Sequence, residues 1–531
     1  MRIKRKQPTF AVLFITAIAL LAVATACTPT PDPAGSSGLV SADERAPTDS
    51  VGANPGDSLG RPEHTAQSAD LNSGIDASAA GAANGAVETA TPSADLASAG
   101  EAVVPEGLYQ PLNPLVTITV NSTSDVVNPS DGLCTLREAI RAANSDTASG
   151  PAVGECPAGS GADTITFSVT GSVVSAGGTL QINDALSILG PGARQLTIDG
   201  SRRRVFKVSS GVTFSLQDVT ITNGGSGGAT SVSFGGGAIW NDRGALSVTN
   251  VTFFANTSGG VGSGHGGAIA NGGALIVRNS TFFNNVSPER GGAIFNFAGT
   301  DDAGIVYEGS ALIVNSTVFS NTALTSRGGG IDNQDGLLGV INSTIVGNHA
   351  DASSGGGIDN SSRGEVTLRN TIVANNTALN GANCRNGGTL YDLSGNLSFP
   401  DTTCPGINAN PNLGPLQNNG GPTDSLALQP GSAAIDAGIP AGADCTDHLG
   451  NPLPTDQRGS GFLRRVDGND DGIATCDIGA YEAGPSLADL SIYKFSLLGG
   501  VKPGGLVAYT IVVSNSSPAA VAASVTDTFP A

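Results

Sequence analysis

A chain of 531 residues with 25 Lys and Arg against 45 Asp and Glu, a formal net charge of −20, has no basic surface to displace the counterions of a phosphate backbone, so nucleic acid is excluded as a partner. Only 13% of the residues are charged and 5% aromatic, so the length allows two or three domains whose cores must be aliphatic. The 75 glycines fall in clusters without the every-third-residue period of collagen, which signals many tight turns.

Residues 1–27 read as an export signal. MRIKRK supplies positive charge, 10–26 is apolar and ends in small residues, and Cys27 follows at once. The stretch AVATAC resembles a bacterial lipobox, which implies cleavage before Cys27 and a lipid on its sulfur, anchoring the protein to a membrane at the cell surface. Ala24 stands where leucine is more usual, and Ala24-Thr25-Ala26 would also suit ordinary cleavage after Ala26. The lipid is favoured because Cys27 directly follows the site and a tether comes next. That tether, 28–110, is rich in Ala, Ser, Gly, Asp, Thr and Pro; it has too little apolar mass to offset the entropy of ordering and reads as a disordered linker.

Residues 111–162 form an N-terminal cap. VTITV at 116–120 alternates as a strand does. In CTLREAIRAAN at 134–144, Thr135 and Glu138 make a capping box, and Leu136, Ala139, Ile140 and Ala143 give one apolar helical face. A helix of this kind suits the open end of a β-helix, where it covers apolar cross-section and unpaired strand groups. The stretch resembles the CSLREA motif of bacterial surface proteins, with Thr135 in place of Ser, and that resemblance implies architecture rather than catalysis.

Residues 163–407 are repeats. GGAIWN, GGAIAN, GGAIFN, GGGIDN and GGGIDN end at Asn241, Asn271, Asn296, Asn333 and Asn360. A second element begins at Asn250, Asn279, Asn315, Asn342 and Asn370 and is closed by Asn256, Asn285, Asn321, Asn348 and Asn375. Equivalent positions recur mostly every 27 to 30 residues, with an insertion around 298–310. One repeat per coil gives three short strands stacked about 4.8 Å from the next coil and three asparagine columns bonding along the axis. Ile239, Ile269, Ile294, Ile331 and Ile358 share the inward parity of the first column. Four of the second-element asparagines sit in Asn-x-Ser/Thr sequons; the ladder explains this phase better than glycosylation does. The pattern resembles the pectin-lyase-like family over roughly 160–400, which implies a right-handed parallel β-helix and, within that family, lyases, hydrolases, tailspikes or non-catalytic adhesins.

The residue after each core Ile should face outward, giving a column of Trp240, Ala270, Phe295, Asp332 and Asp359. Four residues before each Ile lies Gly235, His265, Arg290, Arg327 or Ser354. Trp240 and Phe295 are the candidate carbohydrate contacts, and Asp332, Asp359, His265, Arg290 and Arg327 the candidate catalytic groups. A pair of carboxylates could act as acid and base or hold calcium. Polar residues on any outer solenoid face are the plainer reading, and only GHG at 264–266 resembles a motif of the family's enzymes.

Residues 408–485, with NPNLGPLQNNGGPTDSLALQPGSAAIDAG, DQRG and CDIGAYE, resemble the choice-of-anchor Q domain and imply a loop-rich cap over the last coils. Within it Asp467, Asn469 and Asp471 alternate before Gly472, as a calcium loop does. Asp477 could add a carboxylate one place early, and a solvated acidic turn is the alternative. Residues 486–531 alternate like strands and resemble the start of a bacterial immunoglobulin-like repeat, so a truncated β-sandwich is expected there and further modules beyond it. Apart from Cys27, the cysteines fall into three local couples, Cys134 with Cys156, Cys384 with Cys404, and Cys445 with Cys476; these suggest disulfides in an oxidising compartment, with connectivity left open. The functional expectation is a monomeric, non-enzymatic surface protein for adhesion or envelope structure. Its rivals are a polysaccharide lyase or hydrolase and a non-catalytic carbohydrate binder on the same scaffold.

Overall fold

A computed structural model describes residues 116–226, 235–259, 264–300, 304–351, 353–439, 445–447, 449–485, 490–495, 509–515 and 525. The export signal, Cys27 and the linker 28–110 lie outside the described residues, as does most of 486–531. Of that last segment, Leu490–Phe495 and Thr510–Asn515 form a two-stranded sheet.

Residues 117–399 form a parallel β-solenoid of three long sheets. Sheet I has ten strands, from Thr117–Val120 to Thr389–Asp392; sheet II has nine, from Gly171–Val174 to Leu397–Phe399; sheet III has eight coil strands, from Leu180–Ile182 to Cys384–Asn386, with Val306–Glu308 added antiparallel beside Ile294–Thr300. Each coil runs through I, II and III in turn, so neighbours in a sheet come from successive coils and pair in parallel. The five isoleucines are in register and fully buried. The core is mostly aliphatic, as the composition requires, but Phe206, Phe214, Phe253 and Phe282 also enter it, the last two stacked at 4.6 Å.

The N-terminal end is closed by helix α1, Leu136–Ser145, with its capping box formed: the Thr135 hydroxyl accepts from the Glu138 amide and the Glu138 carboxylate accepts from the Thr135 amide. Its apolar face enters the core. Asn144 meets the exposed edge of Leu180–Ile182 as a strand would, donating to the Gln181 carbonyl at 2.8 Å and accepting from the Asn183 amide at 2.9 Å. All three cysteine couples are bonded as Cys134–Cys156, Cys384–Cys404 and Cys445–Cys476.

Two of the three expected asparagine ladders exist. In the first, each Nδ2 donates to the next Oδ1 from Asn241 through Asn271, Asn296, Asn333 and Asn360 to Asn386, at 2.7 to 2.9 Å. The second runs Asn256, Asn285, Asn321, Asn348, Asn376 and Asn383. Its fifth member is Asn376, not Asn375, which instead takes a left-handed φ of 53° on the exposed side of the bend. At the remaining corner Asn250, Asn279, Asn315, Asn342 and Asn370 all have positive φ, a conformation asparagine tolerates better than most residues. Axial bonding there passes instead to the following serines: the Ser280 amide donates to Ser316 Oγ, and the Ser316 amide to Ser343 Oγ.

Residues 408–485 do not simply lid the last coils. The described residues of this segment lie along the outer flank of sheets I and II. Gln457 bonds Thr281 and Thr317, the Ala480 amide donates to Thr344, and Leu453 packs on Ile276, Leu312, Val314 and Ile341. Asp424 reaches back to Arg194 at 2.6 Å. Leu426, Leu428 and Ile478 cover Val346, Ile372, Ala374 and Leu397.

Candidate functional site

The outward column of sheet III is in register through Lys207, Trp240, Ala270, Phe295, Asp332, Asp359 and Arg385. Its expected exposure is corrected: Trp240 is 5% exposed, Phe295 2%, Asp332 1% and Asp359 0%. The insertion explains the aromatic half. Strand Ile294–Thr300 turns back on itself through Val306–Glu308, laying Tyr307 against Trp240 and Phe297 at centroid distances of 6.0 and 5.3 Å. Trp240, Ala270, Phe295, Phe297 and Tyr307 form a small apolar cluster outside the solenoid core.

The ionic half is closed by arginines. Arg327 lies between the carboxylates, 3.9 Å from Asp332 and 3.8 Å from Asp359, and Arg385 is 3.2 Å from Asp359. Ser354 donates to the second oxygen of Asp359 at 2.7 Å, while among the described residues Asp332 Oδ2 accepts no hydrogen bond. Gly328 and Gly355 have φ of 69° and 64°, and a Cβ on either would lie 2.6 Å from the Cβ of Asp332 or Asp359. The paired glycines therefore let the preceding turn press onto the carboxylates and exclude water. Arg290 donates to Gln334 Oε1 rather than to either Asp. His265 rests on the Phe295 ring at 4.7 Å, and its Nδ1 is 3.5 Å from Glu289.

This enclosure sets the protonation states. Burial, then the neighbouring Asp359 charge, pushes the Asp332 carboxyl up to about 8 against the pull of Arg290, Arg327 and Arg385. Burial also raises Asp359, opposed by the Ser354 hydrogen bond and by Arg385 and Arg327. His265 is pushed down to about 4 by burial, with Glu289 raising it and Arg290 lowering it. At neutral pH the site holds a protonated Asp332 and an uncharged His265. A proton donor is thus present, but the turns and arginines over it leave its oxygens almost no exposure.

Arg385 was not legible as part of this column because its repeat reads GANCRN, with Cys384 where the others have Ile; the signal was Asn386, in phase with Asn360.

The supposed calcium ligands divide. Asp467 accepts from the Asp471 and Gly472 amides, Asn469 from the Asp471 amide, and Asp471 from the Ile473 amide, which folds 467–473 into one turn. Asp477 does not join them. It is buried, accepting from the Asp436 and Ala483 amides, and burial pushes it up to about 7. The carboxylate set back against the turn is Asp436, which accepts from the Gly468 and Asn469 amides. Among the described residues no three His, Cys, Asp or Glu side chains are grouped to hold a metal ion.

Comparison with protein-family models, with curated proteins and with solved structures finds no match to this chain.

Proposed function

We propose that this is a non-enzymatic, lipid-tethered bacterial surface protein whose parallel β-helix is a rigid scaffold for adhesion or cell-envelope structure. One observation carries the reading: the residue types that could bind or cleave a polysaccharide on sheet III are buried beneath the chain's own hairpin and arginines. An enzyme of glycans needs its acid and base within hydrogen-bond reach of the substrate. A scaffold needs the opposite, polar groups satisfied internally and faces that stay shut.

The finer identities rest on sequence resemblance: a CSLREA-like element ahead of the solenoid, a pectin-lyase-like coil, a choice-of-anchor Q-like module, the first strands of an immunoglobulin-like repeat, and the lipid on Cys27. The capping box, the coil register and the flank-packed module support them without being specific to them. A structural calcium ion at the turn 467–472 belongs to the same reading, supported by Asp467, Asn469 and Asp471 at alternate positions. It predicts a higher melting temperature with calcium than with a chelator, and equal values would remove it.

The test of function is incubation of the chain with a panel of acidic and neutral polysaccharides, alongside adhesion of chain-coated surfaces to cells or matrix. No release of reducing or unsaturated ends is expected. Release that disappears in Asp332→Ala would replace the proposal with its rival, a polysaccharide lyase or hydrolase.

A further inference from the structure

The outward side of sheet I changes character along the solenoid. One outward residue per coil runs in register through Thr117, Thr164, Ser187, Ser215 and Ser247, and then through Ile276 and Leu312. From Ile276 onward this face lies under 408–485, with Leu453 on Ile276, Leu312, Val314 and Ile341. The first five coils are different. Their outward side chains are exposed or half-buried, and the polar bonds they make among the described residues stay within the face: Thr119 with Thr166 at 3.2 Å, and Gln217 to Ser215 at 3.1 Å.

This bare half also carries no charge. The column through Ser187 is all hydroxyl, and the residues two further along each strand, from Thr119 to Thr249, are uncharged until Arg278 in the next coil. Sheet III by contrast places Lys207, Asp332, Asp359 and Arg385 in its outward column. Protein surfaces are commonly about 25–35% charged, so five coils without an outward charge are a departure. A hydroxyl both donates and accepts, so an array of Ser and Thr is complementary to a copy of itself, whereas a row of carboxylates or amines repels its copy. At a net charge of −20 two copies of this chain repel each other, and this face lets them meet without opposing like charges.

We infer that the bare half of sheet I is a contact face for a second copy of this chain, joined about a two-fold axis that sets the two solenoids antiparallel. Identical faces meet about an axis lying between them. Were it to run along the solenoid, the two 408–485 segments, each packed on the covered half of its own sheet I, would meet at one level and hold the bare halves apart. With the axis along the strands, each segment passes beyond the N-terminal end of the other copy and the bare halves touch. Ser187 then opposes its own equivalent, and Thr164 opposes Ser215 of the second copy. Five coils at about 4.8 Å and five residues at about 3.3 Å give a patch of about 24 by 16 Å, so a pair buries about 800 Å². That is below the roughly 1,200 Å² of stable complexes; the contact is weak and reversible, and the chain stays monomeric in dilute solution. The antiparallel pair sends its two N-termini to opposite ends. Resting on the reading of an N-terminally tethered surface protein, the two copies belong to facing surfaces, where many weak contacts add.

Sedimentation equilibrium of the full chain from about 10 μM to about 1 mM tests this, with a reversible dimer of dissociation constant on the order of 100 μM expected. Ser187→Lys and Ser187→Glu should each weaken self-association about tenfold or more, and an equal mixture of the two should regain it, because the opposed positions then carry opposite charges. Gln181→Lys, on the exposed side of sheet III, should leave it unchanged, and equal melting temperatures for all three variants separate lost contact from lost folding. Oxidation of mixed Thr164→Cys and Ser215→Cys copies should give a linked dimer where Thr164→Cys alone gives none. Beads carrying the chain by its N-terminus should cluster with one another. A monomer at about 1 mM, no rescue in the Lys and Glu mixture, or linkage through Thr164→Cys alone would each overturn the assignment. Beads that adhere to cells or matrix but never to one another would overturn it while leaving the adhesion reading in place; beads that adhere to nothing would remove both.

Discussion

Asn296 occupies the middle of the first ladder, and its replacement by Ala measures what the ladder contributes. Its Nδ2 donates to Asn333 Oδ1 at 2.8 Å and to the Gly309 and Leu337 carbonyls at 3.1 and 3.0 Å, and its Oδ1 accepts from Asn271 at 2.8 Å. The side chain is fully buried, so water cannot take over these roles without entering the core. At about 1 kcal/mol net per bond, with one or more partners left unsatisfied at about 1–3 kcal/mol, Asn296→Ala should cost about 3–5 kcal/mol. The control is Asn386→Ala at the exposed end of the same column, where among the described residues the oxygen accepts from Asn360 alone; it should cost about 1 kcal/mol or less. Asn296→Asp keeps the shape but puts an acceptor against the acceptors of Asn333, Gly309 and Leu337, and should be worse than Ala at pH 7. Urea midpoints, with hydrogen exchange on the amides of neighbouring coils because solenoids need not unfold in one step, read all three. Equal losses for the Asn296 and Asn386 variants would refute the idea that stacking, rather than local turn bonding, is what the asparagines contribute.

Asp332, pushed up to about 8 by burial, stays protonated in the folded state between its ordinary value of 3.8 and 8 while the unfolded chain ionises. The unfolded state therefore binds fewer protons, and stability falls as pH rises through that window, by at most about 1.4 kcal/mol per unit. Asp332→Asn removes this slope, so the variant should gain on the parent in denaturation midpoints from pH 5 to pH 8; a constant difference would contradict it. Arg464 is 1% exposed, bonds Asn315, the Asn342 carbonyl and the Gly479 carbonyl, and lies 3.6 Å from Glu482. Arg464→Ala should cost about 3–5 kcal/mol and speed proteolysis within 408–485 before the solenoid is cut. Cys384→Ala with Cys404→Ala opens a link spanning 20 residues and should cost about 3 kcal/mol, read by thermal unfolding. Asn315 and Asn342 are 4% and 0% exposed, so expression in a glycosylating host should leave both without added mass once folded.

The coils were legible because a solenoid repeats its local chemistry: Gly-Gly for the bend, Ile for the core and Asn for the ladder return in phase, and stacking needs nothing from elsewhere in the chain. The cap was legible for the same local reason, its box and apolar face lying within ten residues. What failed were statements about the outer faces. Whether Trp240 meets solvent depends on Tyr307, and whether Asp332 does depends on the left-handed turn at Gly328. Period-two alternation says which way a side chain points and is silent on what covers it. The shift from Asn375 to Asn376 has the same origin, since two adjacent asparagines differ only in which one the bend turns inward.

The outward position next to that corner shows how a distant contact is nonetheless written into the repeat. Thr252, Thr281, Thr317, Thr344, Ile372 and Leu397 are in register down sheet II. At three of its threonines the hydroxyls meet polar groups of 408–485: Thr281 and Thr317 bond Gln457, and Thr344 accepts from the Ala480 amide. Where it turns to isoleucine and leucine, it packs into the cluster of Leu426, Leu428 and Ile478. A buried threonine hydroxyl without such partners would carry an unsatisfied polar group, and an isoleucine at 317 would leave Gln457 short of one. The change from Thr to aliphatic along one face is therefore the imprint of the module that lies on it. It also gives the Thr of the Asn315 sequon a structural role: Thr317 is kept polar by Gln457, 140 residues away.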